Sequence, residues 1–478
     1  MESIIPFNRT KIIATVGPAC NTEEKLWELV KAGVDVFRLN FSHGSHEGHL
    51  EVIKHIRNLN SKHGMTIAIL QDLQGPKIRT GEVENNGVEL INGQKLILTT
   101  EKVIGNAQKI YTSYKAMPRD VKAGDRILID DGNIELVVLE IKGEEITTVV
   151  VYGGVLKSKK GINLPNTKVS EPSLTEKDRE DLLFGLDNNV DLIALSFVRT
   201  ADDIKEIKAI IKSKGKNTKV IAKIEKPEAI DDIDRIIEET DGLMVARGDL
   251  GVEIPMEDVP LAQKMMIKKC NEAGKPVIVA TQMLESMIKV PRPTRAEAGD
   301  VANAVIDGAD TVMLSAETAS GAFPIESVKA MVSIIGAIEK GVDIYDRAYD
   351  LNPSAPNFLR KRLIAGCCRL ASDTNAKAIV NISKTGFVGN MIASHRPKAN
   401  IYTFTDNAEI VNSFNLSWGI RPFYLDKKFN STDEMIETVN GILKEKGLVA
   451  KGDLVVNTAS MPVDGSFRTN MIKMSIIE

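Results

Sequence analysis

The sequence is poor in cysteine, in aromatic residues and in excess charge. Its four cysteines form no CxxC pair and no disulfide-framework spacing, so we expect reduced, buried thiols rather than a disulfide-stapled secreted protein. Aromatic residues make up 5% of the chain, and the formal net charge is −4. Because this charge gives no basic field, we expect small-molecule partners, with no nucleic acid and no membrane among them.

Long apolar runs are also missing. No stretch reaches about 18 uncharged apolar residues, and the N-terminal segment MESIIPFNRTKII lacks a basic region followed by a long apolar run. We therefore expect a cytoplasmic protein that is neither exported nor membrane-spanning. Core-forming material is nevertheless plentiful, because hydrophobic residues make up 43% of the 478 residues. A chain of this length and balance predicts several globular domains.

Eight short apolar runs, rich in β-branched residues, organise most of the chain. They are TKIIATVG from Thr10, DVFRLNF from Asp35, TIAILQDL from Thr66, DLIALSFV from Asp191, KVIAKIE from Lys219, DGLMVARGDL from Asp241, PVIVATQML from Pro276 and DTVMLSAE from Asp310. Such runs are typical of parallel strands buried on both faces, and charged stretches of helical period follow most of them. Eight βα units favour an α/β fold with a (β/α)₈ TIM barrel, although the count alone also allows an open doubly wound sheet.

Two departures from the βα pattern predict additional domains. After the third run a long segment alternates apolar and polar residues between Gly, Asn and Asp turns, as short antiparallel strands do. After about residue 342 a new αβ pattern begins. We predict a barrel domain over 1–76 and 173–342, an inserted small β-barrel domain over 77–172, and a C-terminal α/β domain over 343–478.

Polar residues close nearly every predicted barrel strand. They are Arg38, Asn40, Ser42 and His43 after the second, Asp72, Gly75, Lys77 and Arg79 after the third, Lys223 and Glu225 on the fifth, Arg247, Gly248 and Asp249 after the sixth, Thr281 after the seventh, and Ser315 and Glu317 after the eighth. Barrel active sites lie at the carboxyl ends of the strands. Any one of these residues could be a turn or a cap, but clustered buried charge is costly unless ligands or metals compensate it.

The types of these residues point to a reaction class. Lys223 and Glu225 are two apart on one strand, so their side chains leave on the same face. Glu225 with Asp249 forms a hard-oxygen pair that suits Mg²⁺, whereas an internal Lys223 to Glu225 salt bridge would leave Asp249 unexplained. Arg38 and Arg79 supply the forked donors that bind phosphate. This set favours phosphoryl transfer, which depends on positioning and charge neutralisation.

Seven segments carry a resemblance to a known family. They are TKIIATVGPAC, FRLNFSHG, GPKIRTG, VIAKIEKPEAI, MVARGDLGVEIP, VIVATQMLESM and PTRAEAGDVANAVIDGADTVMLSAETASGAFP. In this order, and over almost the whole chain, they resemble the pyruvate kinases. The resemblance implies a barrel, a mobile lid formed by the inserted domain, and a C-terminal domain. It also implies transfer of a phosphoryl group from phosphoenolpyruvate to ADP, giving pyruvate and ATP, with Mg²⁺ as cofactor and Mn²⁺ as a substitute.

The resemblance assigns roles to the strand-end residues. Lys223 would stabilise the transferring phosphoryl group and the enolate, and Glu225 and Asp249 would hold Mg²⁺. Backbone donors near Gly248 and Asp249, together with Thr281, would hold the phosphoenolpyruvate carboxylate. Thr281 would also lie near the proton that is delivered to the enol carbon.

The nucleotide would meet side chains of both the barrel and the lid. By resemblance, Arg38 and Arg79 would contact the phosphoryl group and the nucleotide, and Asn40, His43 and Lys160 would complete the nucleotide environment. A β-phosphate oxygen of ADP would attack the phosphoryl group, and protonation of the resulting enolate at carbon would give pyruvate. Lid closure would exclude water from the donor.

One position departs from the family pattern. Relatives that require K⁺ carry an acidic residue where this chain has Lys77, within DLQGPKIRTG. The monovalent-cation pocket implied by the resemblance consists of Asn40, Ser42, Asp72 and the Leu73 carbonyl. A Lys77 ammonium near this pocket could replace K⁺ electrostatically, and Leu73 and Gln74 match the family's potassium-independent variant. We therefore expect K⁺ to be dispensable, the alternative being that Lys77 is a solvated surface residue.

The C-terminal domain offers a weaker signal. The segment formed by Ser383, Lys384, Thr385 and Gly386 resembles the phosphate-binding loop by which many relatives hold an effector, and the tail PVDGSFRTN fits the same region. A sugar-phosphate or nucleotide effector could bind there, or the loop could have a structural or subunit-contact role. The family resemblance also implies a homotetramer.

Two rival functions use the same residues. A barrel lyase or aldolase could generate a pyruvate enolate with Mg²⁺ held by Glu225 and Asp249, without a nucleotide site. A degenerate barrel that only senses phosphorylated metabolites would be expected to lose Lys223 or a carboxylate. Arg79, Lys160 and the inserted domain favour the kinase over the lyase, and the retention of Lys223 disfavours the sensor.

Overall fold

The computed structural model describes residues 6–165, 167–350, 352–354, 357–463 and 469–478. The strands are β1 (Lys11–Thr15), β2 (Val36–Asn40), β3 (Ala68–Asp72), β4 (Val88–Leu90), β5 (Lys95–Thr99), β6 (Lys109–Tyr111), β7 (Arg126–Ile129), β8 (Ile134–Lys142), β9 (Glu145–Tyr152), β10 (Gly154–Leu156), β11 (Ile162–Asn163), β12 (Leu192–Leu195), β13 (Lys219–Ile224), β14 (Gly242–Ala246), β15 (Val277–Ala280), β16 (Thr311–Leu314), β17 (Ala378–Ile382), β18 (Asn400–Thr405), β19 (Ile420–Tyr424), β20 (Leu454–Ala459) and β21 (Met471–Ile476).

The helices form the outer layers around these strands. They are α1 (Glu23–Ala32), α2 (His46–His63), α3 (Met117–Asp120), α4 (Glu176–Asp187), α5 (Ala201–Ser213), α6 (Pro227–Asp231), α7 (Ile233–Glu239), α8 (Arg247–Glu253), α9 (Val259–Ala273), α10 (Arg295–Asp307), α11 (Ala316–Ala319), α12 (Pro324–Gly341), α13 (Phe358–Asp373), α14 (Phe387–Ser394) and α15 (Thr432–Glu445). Within the described ranges, none of them has the length and apolar character needed to cross a lipid bilayer.

The first eight predicted runs form a closed parallel barrel. Its strand order is β1-β16-β15-β14-β13-β12-β3-β2, and each of the eight runs supplies one strand. Side chains of one face, such as Ile13, Leu70 and Ile221, fill the barrel interior, while those of the other face pack against the helices. Both faces are buried, which explains why the strands are apolar over most of their length. The predicted TIM barrel is confirmed.

The inserted segment folds as a small mixed β domain. Its main sheet has the order β11-β7-β8-β9-β5-β6, and β10 pairs with β4 beside it. Bridges from Arg79 to Gly161 and from Thr80 to Thr112 join the chain entering the domain to both edges of the main sheet. These bridges close the sheet around an apolar core that includes Leu96, Ile127 and Val150. The predicted limits, 77 and 172, stay a prediction.

The C-terminal domain is built on a five-stranded sheet of order β19-β18-β17-β20-β21, in which only the β20 to β21 pairing is antiparallel. Helices α13 and α14 cover one face of the sheet, and α15 covers the other. The sheet therefore has apolar residues on both sides, as the predicted parallel pattern requires. The predicted C-terminal α/β domain is confirmed, and the four cysteines of the chain are free and buried.

A buried ion pair fixes the C-terminal domain against the barrel. Arg396 Nη1 lies 3.0 Å from Asp310 Oδ1, and Arg396 Nη2 donates to the Gly308 carbonyl at 2.6 Å. The backbone N–H of Trp418 donates to the same Asp310 oxygen at 3.2 Å, and the guanidinium lies 5.0 Å from the Trp418 ring centroid. Asp310 precedes β16, so these contacts are at the amino end of the barrel. The C-terminal domain is therefore attached away from the carboxyl end, where barrel active sites form.

We predict that Arg396→Met lowers the free energy of unfolding by about 3 kcal/mol, because the Asp310 carboxylate would remain buried without its cation. Urea unfolding followed by the fluorescence of Trp418 and Trp27 measures this loss. The matched control is Arg369→Met, which removes an exposed ion pair with Asp373 and should change stability little. Equal losses for the two variants would contradict the role of the buried pair.

Candidate active site

Four charged side chains meet at the carboxyl ends of β2, β3 and β13. Arg38 Nε lies 2.6 Å from Asp72 Oδ2, and Lys223 Nζ lies 3.1 Å from Asp72 Oδ1. Lys223 Nζ also lies 2.9 Å from Glu225 Oε1. All four side chains are largely buried, and those of Asp72 and Glu225 are each 2% exposed. We call Arg38, Asp72, Lys223 and Glu225 the buried charge cluster.

The cluster keeps its cations and its central carboxylate charged. Burial alone would lower the pKa of Lys223, but the carboxylates of Asp72 and Glu225 outweigh burial and raise that pKa above its ordinary value. Burial would raise the pKa of Asp72, but the cations of Lys223 and Arg38 outweigh it, so the pKa of Asp72 falls below its usual range. At neutral pH the site therefore presents a fixed ammonium and a fixed guanidinium.

Glu225 and Asp249 form the second feature of the site. Burial raises the pKa of Glu225 despite the nearby Lys223 ammonium, and the Asp249 carboxylate raises it further. The Phe197 backbone N–H donates to Glu225 Oε2 at 3.0 Å. Asp249 lies in the first turn of α8. The Asp249 carboxylate disfavours the charged form of Glu225, and a cation bound between the two carboxylates would relieve this.

The carboxylate oxygens of Glu225 and Asp249 have the chemistry that Mg²⁺ requires. The ion takes oxygen ligands, keeps several waters and usually binds one or two carboxylates together with substrate oxygens. Glu225 and Asp249 supply two carboxylates. In the part of the chain that the structure describes, no group of three or more His, Cys, Asp or Glu side chains could hold a metal ion. The salt bridge between Lys223 and Glu225, which is the alternative to a metal site, is present. It does not compensate the negative charge of Asp249 near Glu225. The residues therefore fit Mg²⁺.

The loops after β14 and β15 are fastened to each other. The Gly248 N–H donates to Thr281 Oγ1 at 2.8 Å, and Arg247 Nη2 donates to the Thr281 carbonyl at 2.7 Å. A Cβ at position 248 would lie 3.3 Å from Thr281 Oγ1, so glycine suits this close approach. Thr281 has a φ of 69°, a left-handed conformation that is unfavourable for a β-branched residue and often marks a functional site.

The turn after β2 carries the residues predicted to meet the nucleotide. The Ser42 N–H donates to Asn40 Oδ1 at 3.1 Å, which shapes the turn, and His43 is exposed. Partial burial lowers the pKa of His43, and the nearby cations of Arg79, Lys77 and Arg38 lower it further. The charges of these three cations therefore act on His43, and the lowered pKa favours its neutral form.

The remaining predicted nucleotide residue lies on the inserted domain. Lys160 Nζ pairs with Asp130 Oδ1 at 2.7 Å, and the Lys160 N–H donates to Thr80 Oγ1 at 2.9 Å. Arg79 Nη1 donates to the neighbouring Lys159 carbonyl at 3.4 Å. Lys160 is therefore held within the inserted domain, and the structure does not bring it into the buried charge cluster.

The residues predicted to form a monovalent-cation pocket border the cluster. Asp72 belongs to it, and the Leu73 carbonyl accepts a hydrogen bond from Ser196 Oγ at 2.7 Å. Asn40 is the last residue of β2, which pairs with β3 so that Asn40 lies opposite Asp72. The Lys77 side chain is exposed. Its charge nevertheless lies close enough to His43 to lower the pKa of that residue.

Two side chains of the site were not predicted from the sequence. Ser196 Oγ donates to the Leu73 carbonyl and lies 2.6 Å from Lys223 Nζ, so it joins two strand ends. Thr15 Oγ1 accepts a hydrogen bond from Arg38 Nη1 at 3.1 Å. A signal for both was present, since Thr15 ends β1 and Ser196 directly follows β12. The rule that a polar residue closing an apolar strand belongs to the site applies to these strands as well.

A separate cavity of about 920 Å³ lies in the C-terminal domain. Its lining includes Ser383, Lys384, Thr385, Lys427 and Lys428. Gly386 has a φ of 89°, and its N–H donates to Ser383 Oγ at 3.0 Å, so the loop turns tightly before α14. Of the predicted tail PVDGSFRTN, residues 464–468 lie outside the described residues, while Val463 and Thr469 line the cavity.

Comparison with known proteins extends over nearly the whole chain. Residues 7–328 match the family model for the pyruvate kinase barrel domain, and residues 361–475 match that for the pyruvate kinase alpha/beta domain. The chain is 46% identical over 474 residues to a pyruvate kinase of Geobacillus stearothermophilus, covering 98% of this chain and 80% of that protein. It is 43% identical over 473 residues to a pyruvate kinase of Clostridium acetobutylicum, covering 98% and 100%.

A solved structure agrees with these relatives. The crystal structure of a pyruvate kinase from Cryptosporidium parvum superimposes with a TM-score of 0.89 at 38% identity, covering 98% of this chain and 96% of that chain. The predicted fold, with its barrel, inserted β domain and C-terminal domain, is confirmed by this likeness. Matches of this length and identity make the chain a phosphotransferase enzyme, with the kinase chemistry of glycolysis as its general function. The chain belongs to the pyruvate kinase family.

Proposed function

We propose that this chain transfers the phosphoryl group of phosphoenolpyruvate to ADP, and that Lys223 stabilises the negative charge that develops during transfer. The observation that carries this proposal is the buried charge cluster. Its Lys223 ammonium lies 3.1 Å from Asp72 and 2.9 Å from Glu225 at the open end of the barrel. A fixed cation in a largely buried site stabilises developing charge without having to reorganise.

Glu225 and Asp249 are the residues that would hold Mg²⁺, with Mn²⁺ as a substitute. When bound, the ion would neutralise negative charge on the phosphoryl and carboxylate oxygens of the substrate. The proposal for these two residues is supported by the raised pKa of Glu225, which results from burial and from the Asp249 carboxylate beside it. A buried carboxylate such as Glu225, with a second carboxylate near it, is costly unless a cation compensates the charge.

The other residues of the site would bind and orient the substrate. The Arg38 guanidinium, held by Asp72 and Thr15, presents donors to the phosphoryl group. The carboxylate of phosphoenolpyruvate would lie against the backbone at Gly248 and Asp249, at the start of α8. Thr281 Oγ1, which lies 2.8 Å from the Gly248 nitrogen, is then placed beside the enol carbon that receives the proton.

We propose that the nucleotide binds between the barrel and the inserted domain. Arg79 lies in the segment that leads into the inserted domain, and Lys160 lies in that domain just before β11. Together with Asn40 and His43 they offer polar and cationic groups to the phosphates of ADP. This concentration of cations favours a kinase over a lyase, because a lyase would have no polyanionic second substrate. Closure of the inserted domain would exclude water.

The K⁺ requirement is a separate part of the proposal. We propose that the Lys77 ammonium replaces K⁺ beside Asn40, Ser42, Asp72 and the Leu73 carbonyl. It is supported by the effect of Lys77 on the pKa of His43, since this effect requires the Lys77 charge to lie near the turn after β2.

The assembly and its regulation are further proposals. We propose a homotetramer, as in the family, for which β21 offers an unpaired sheet edge with Met474 and Ile476 exposed. We also propose that the C-terminal cavity binds a phosphorylated sugar or nucleotide effector. Lys384, Lys427 and Lys428 in its lining supply positive charge, and the tight loop at Gly386 brings backbone donors close to a phosphate.

Lys223→Met should lower kcat for pyruvate formation by about 10³-fold, because the transition state would lose its fixed cation. The measurement is the initial rate of pyruvate formation from phosphoenolpyruvate, ADP and Mg²⁺. Lys219→Met is a matched control, since Lys219 begins the same strand at the opposite end of the barrel. Pyruvate formation that does not need ADP would indicate a lyase or a phosphatase instead of a kinase. If the parent enzyme formed no pyruvate, the sensor function would be favoured.

The parent enzyme should work in K⁺-free buffer at a rate within about twofold of that with KCl, because the Lys77 charge already occupies the cation's place. Lys77→Glu should create a K⁺ requirement, visible as a loss of rate that added KCl restores. Lys95→Glu makes the same charge change at an exposed position of the inserted domain and should create none. Strong K⁺ activation of the parent enzyme would show that Lys77 is only a surface residue.

A further inference from the structure

A buried carboxylate outside the charge cluster joins the inserted domain to the barrel. Glu253 Oε1 accepts a hydrogen bond from Lys226 Nζ at 2.6 Å and another from Asn163 Nδ2 at 3.0 Å. The Glu253 side chain is 2% exposed. Asn163 ends β11 of the inserted domain, whereas Glu253 and Lys226 belong to the barrel domain. One oxygen atom therefore receives donors from both domains.

Glu253 and Lys226 each lie close in sequence to residues of the proposed site. Glu253 is the last residue of α8, whose first turn carries Gly248 and Asp249. Glu253 and Asp249 are four residues apart, so they lie one above the other on the same face of the helix. A displacement of Glu253 would turn or tilt this short helix, and it would move the Asp249 carboxylate relative to Glu225.

The second connection runs through Lys226 to the cluster. Lys226 directly follows Glu225, and its ammonium lies 5.6 Å from the centroid of the Phe197 ring. The backbone N–H of Phe197 is the donor that holds Glu225 Oε2 at 3.0 Å. The Lys226 cation thus rests on the residue that orients Glu225. Because a buried carboxylate without its cation is strongly unfavourable, Glu253 and Lys226 are expected to stay together.

The contact from the inserted domain is the weaker of the two. Asn163 is neutral and donates one hydrogen bond, while Lys226 supplies a full charge. A hydrogen bond from a neutral donor to this carboxylate is weaker than the ion pair, so it can break and form again as the inserted domain moves while the Lys226 to Glu253 pair remains intact. The arrangement allows the position of the inserted domain to be transmitted to α8 without exposing a buried charge.

We propose that Glu253 is a positioning residue that couples the inserted domain, through Asn163, to the residues of α8 and β13 that carry the reaction. The inference rests on the proposed function, because the roles of Asp249, Glu225 and Lys223 belong to it. Glu253 itself touches no substrate. Its effect is to hold α8 and the Lys226 segment in one arrangement when the Asn163 hydrogen bond is made.

The test is a charge-conserving exchange in the full-length protein. Asn163→Asp places a second carboxylate against Glu253, and Glu253→Gln removes the charge that Lys226 compensates. The double variant Asn163→Asp/Glu253→Gln restores both the hydrogen bond and the net charge. We expect each single variant to lower kcat/KM for phosphoenolpyruvate by about 10-fold or more, and the double variant to recover most of the loss of Asn163→Asp.

A second readout does not depend on activity. Hydrogen–deuterium exchange of a peptide covering residues 247–253 should be faster in Asn163→Asp by about 10-fold and should return toward the parent rate in the double variant. Asn106→Asp is the matched control, since Asn106 lies in the inserted domain and its side-chain oxygen accepts hydrogen bonds from the nearby Gln108 and Lys109 N–H groups. It should change neither kcat/KM nor the exchange of this peptide.

The two readouts separate the possible failures. An unchanged exchange rate in Asn163→Asp overturns the coupling, whatever the activity. The coupling is also overturned if the fold loss in kcat/KM of the double variant equals the product of the two single fold losses, because the two side chains would then act independently. A parent enzyme that turns over no phosphoenolpyruvate removes the proposed function, and the exchange rates of the α8 peptide then decide the coupling alone.

Discussion

The site depends on one carboxylate that holds two cations in a buried position. Asp72 contacts Arg38 through one oxygen and Lys223 through the other, at 2.6 Å and 3.1 Å. Without Asp72, the two cations would face each other in a largely buried pocket, and burial would lower the pKa of Lys223. With it, Lys223 stays charged, and both cations keep fixed orientations. The rest of the molecule can be understood as what places these groups at one end of a barrel.

Contacts that attach the C-terminal domain and residues of the proposed site lie at opposite ends of the barrel. Its strands are mostly apolar on both faces, and the charged residues of the proposed site lie between the middle of a strand and the residues just beyond its carboxyl end. At the amino end, the Arg396 to Asp310 pair fastens the C-terminal domain. At the carboxyl end, the inserted domain approaches the cluster and touches Glu253 through Asn163. Over the residues that the structure describes, the two additional domains therefore contact opposite ends of the barrel, and the inserted domain is the one that reaches the proposed site.

Much of the fold could be predicted from the sequence, because strands buried on both faces leave long apolar runs and their carboxyl ends share one edge. Arg38, Asp72, Lys223 and Glu225 were found in this way, and the structure brings them together. Contacts between distant segments left no such pattern. The Asn163 to Glu253 hydrogen bond joins residues that are ordinary in their local sequence, and the left-handed φ of Thr281 occurs at a residue type that normally avoids it. Tertiary packing alone determines these features.

The most direct measurement compares kcat/KM for phosphoenolpyruvate in Asp72→Asn and Asp191→Asn. Asp191 is also buried and paired with an arginine, Arg57 at 3.0 Å, but it lies before β12 at the amino end of the barrel. If Asp72 organises the cations of the site, Asp72→Asn should lose about 10²-fold or more in kcat/KM, while Asp191→Asn should lose stability and keep its activity. Wild-type kcat/KM in Asp72→Asn, with a stability loss equal to that of Asp191→Asn, would contradict this role and reduce Asp72 to a structural ion pair.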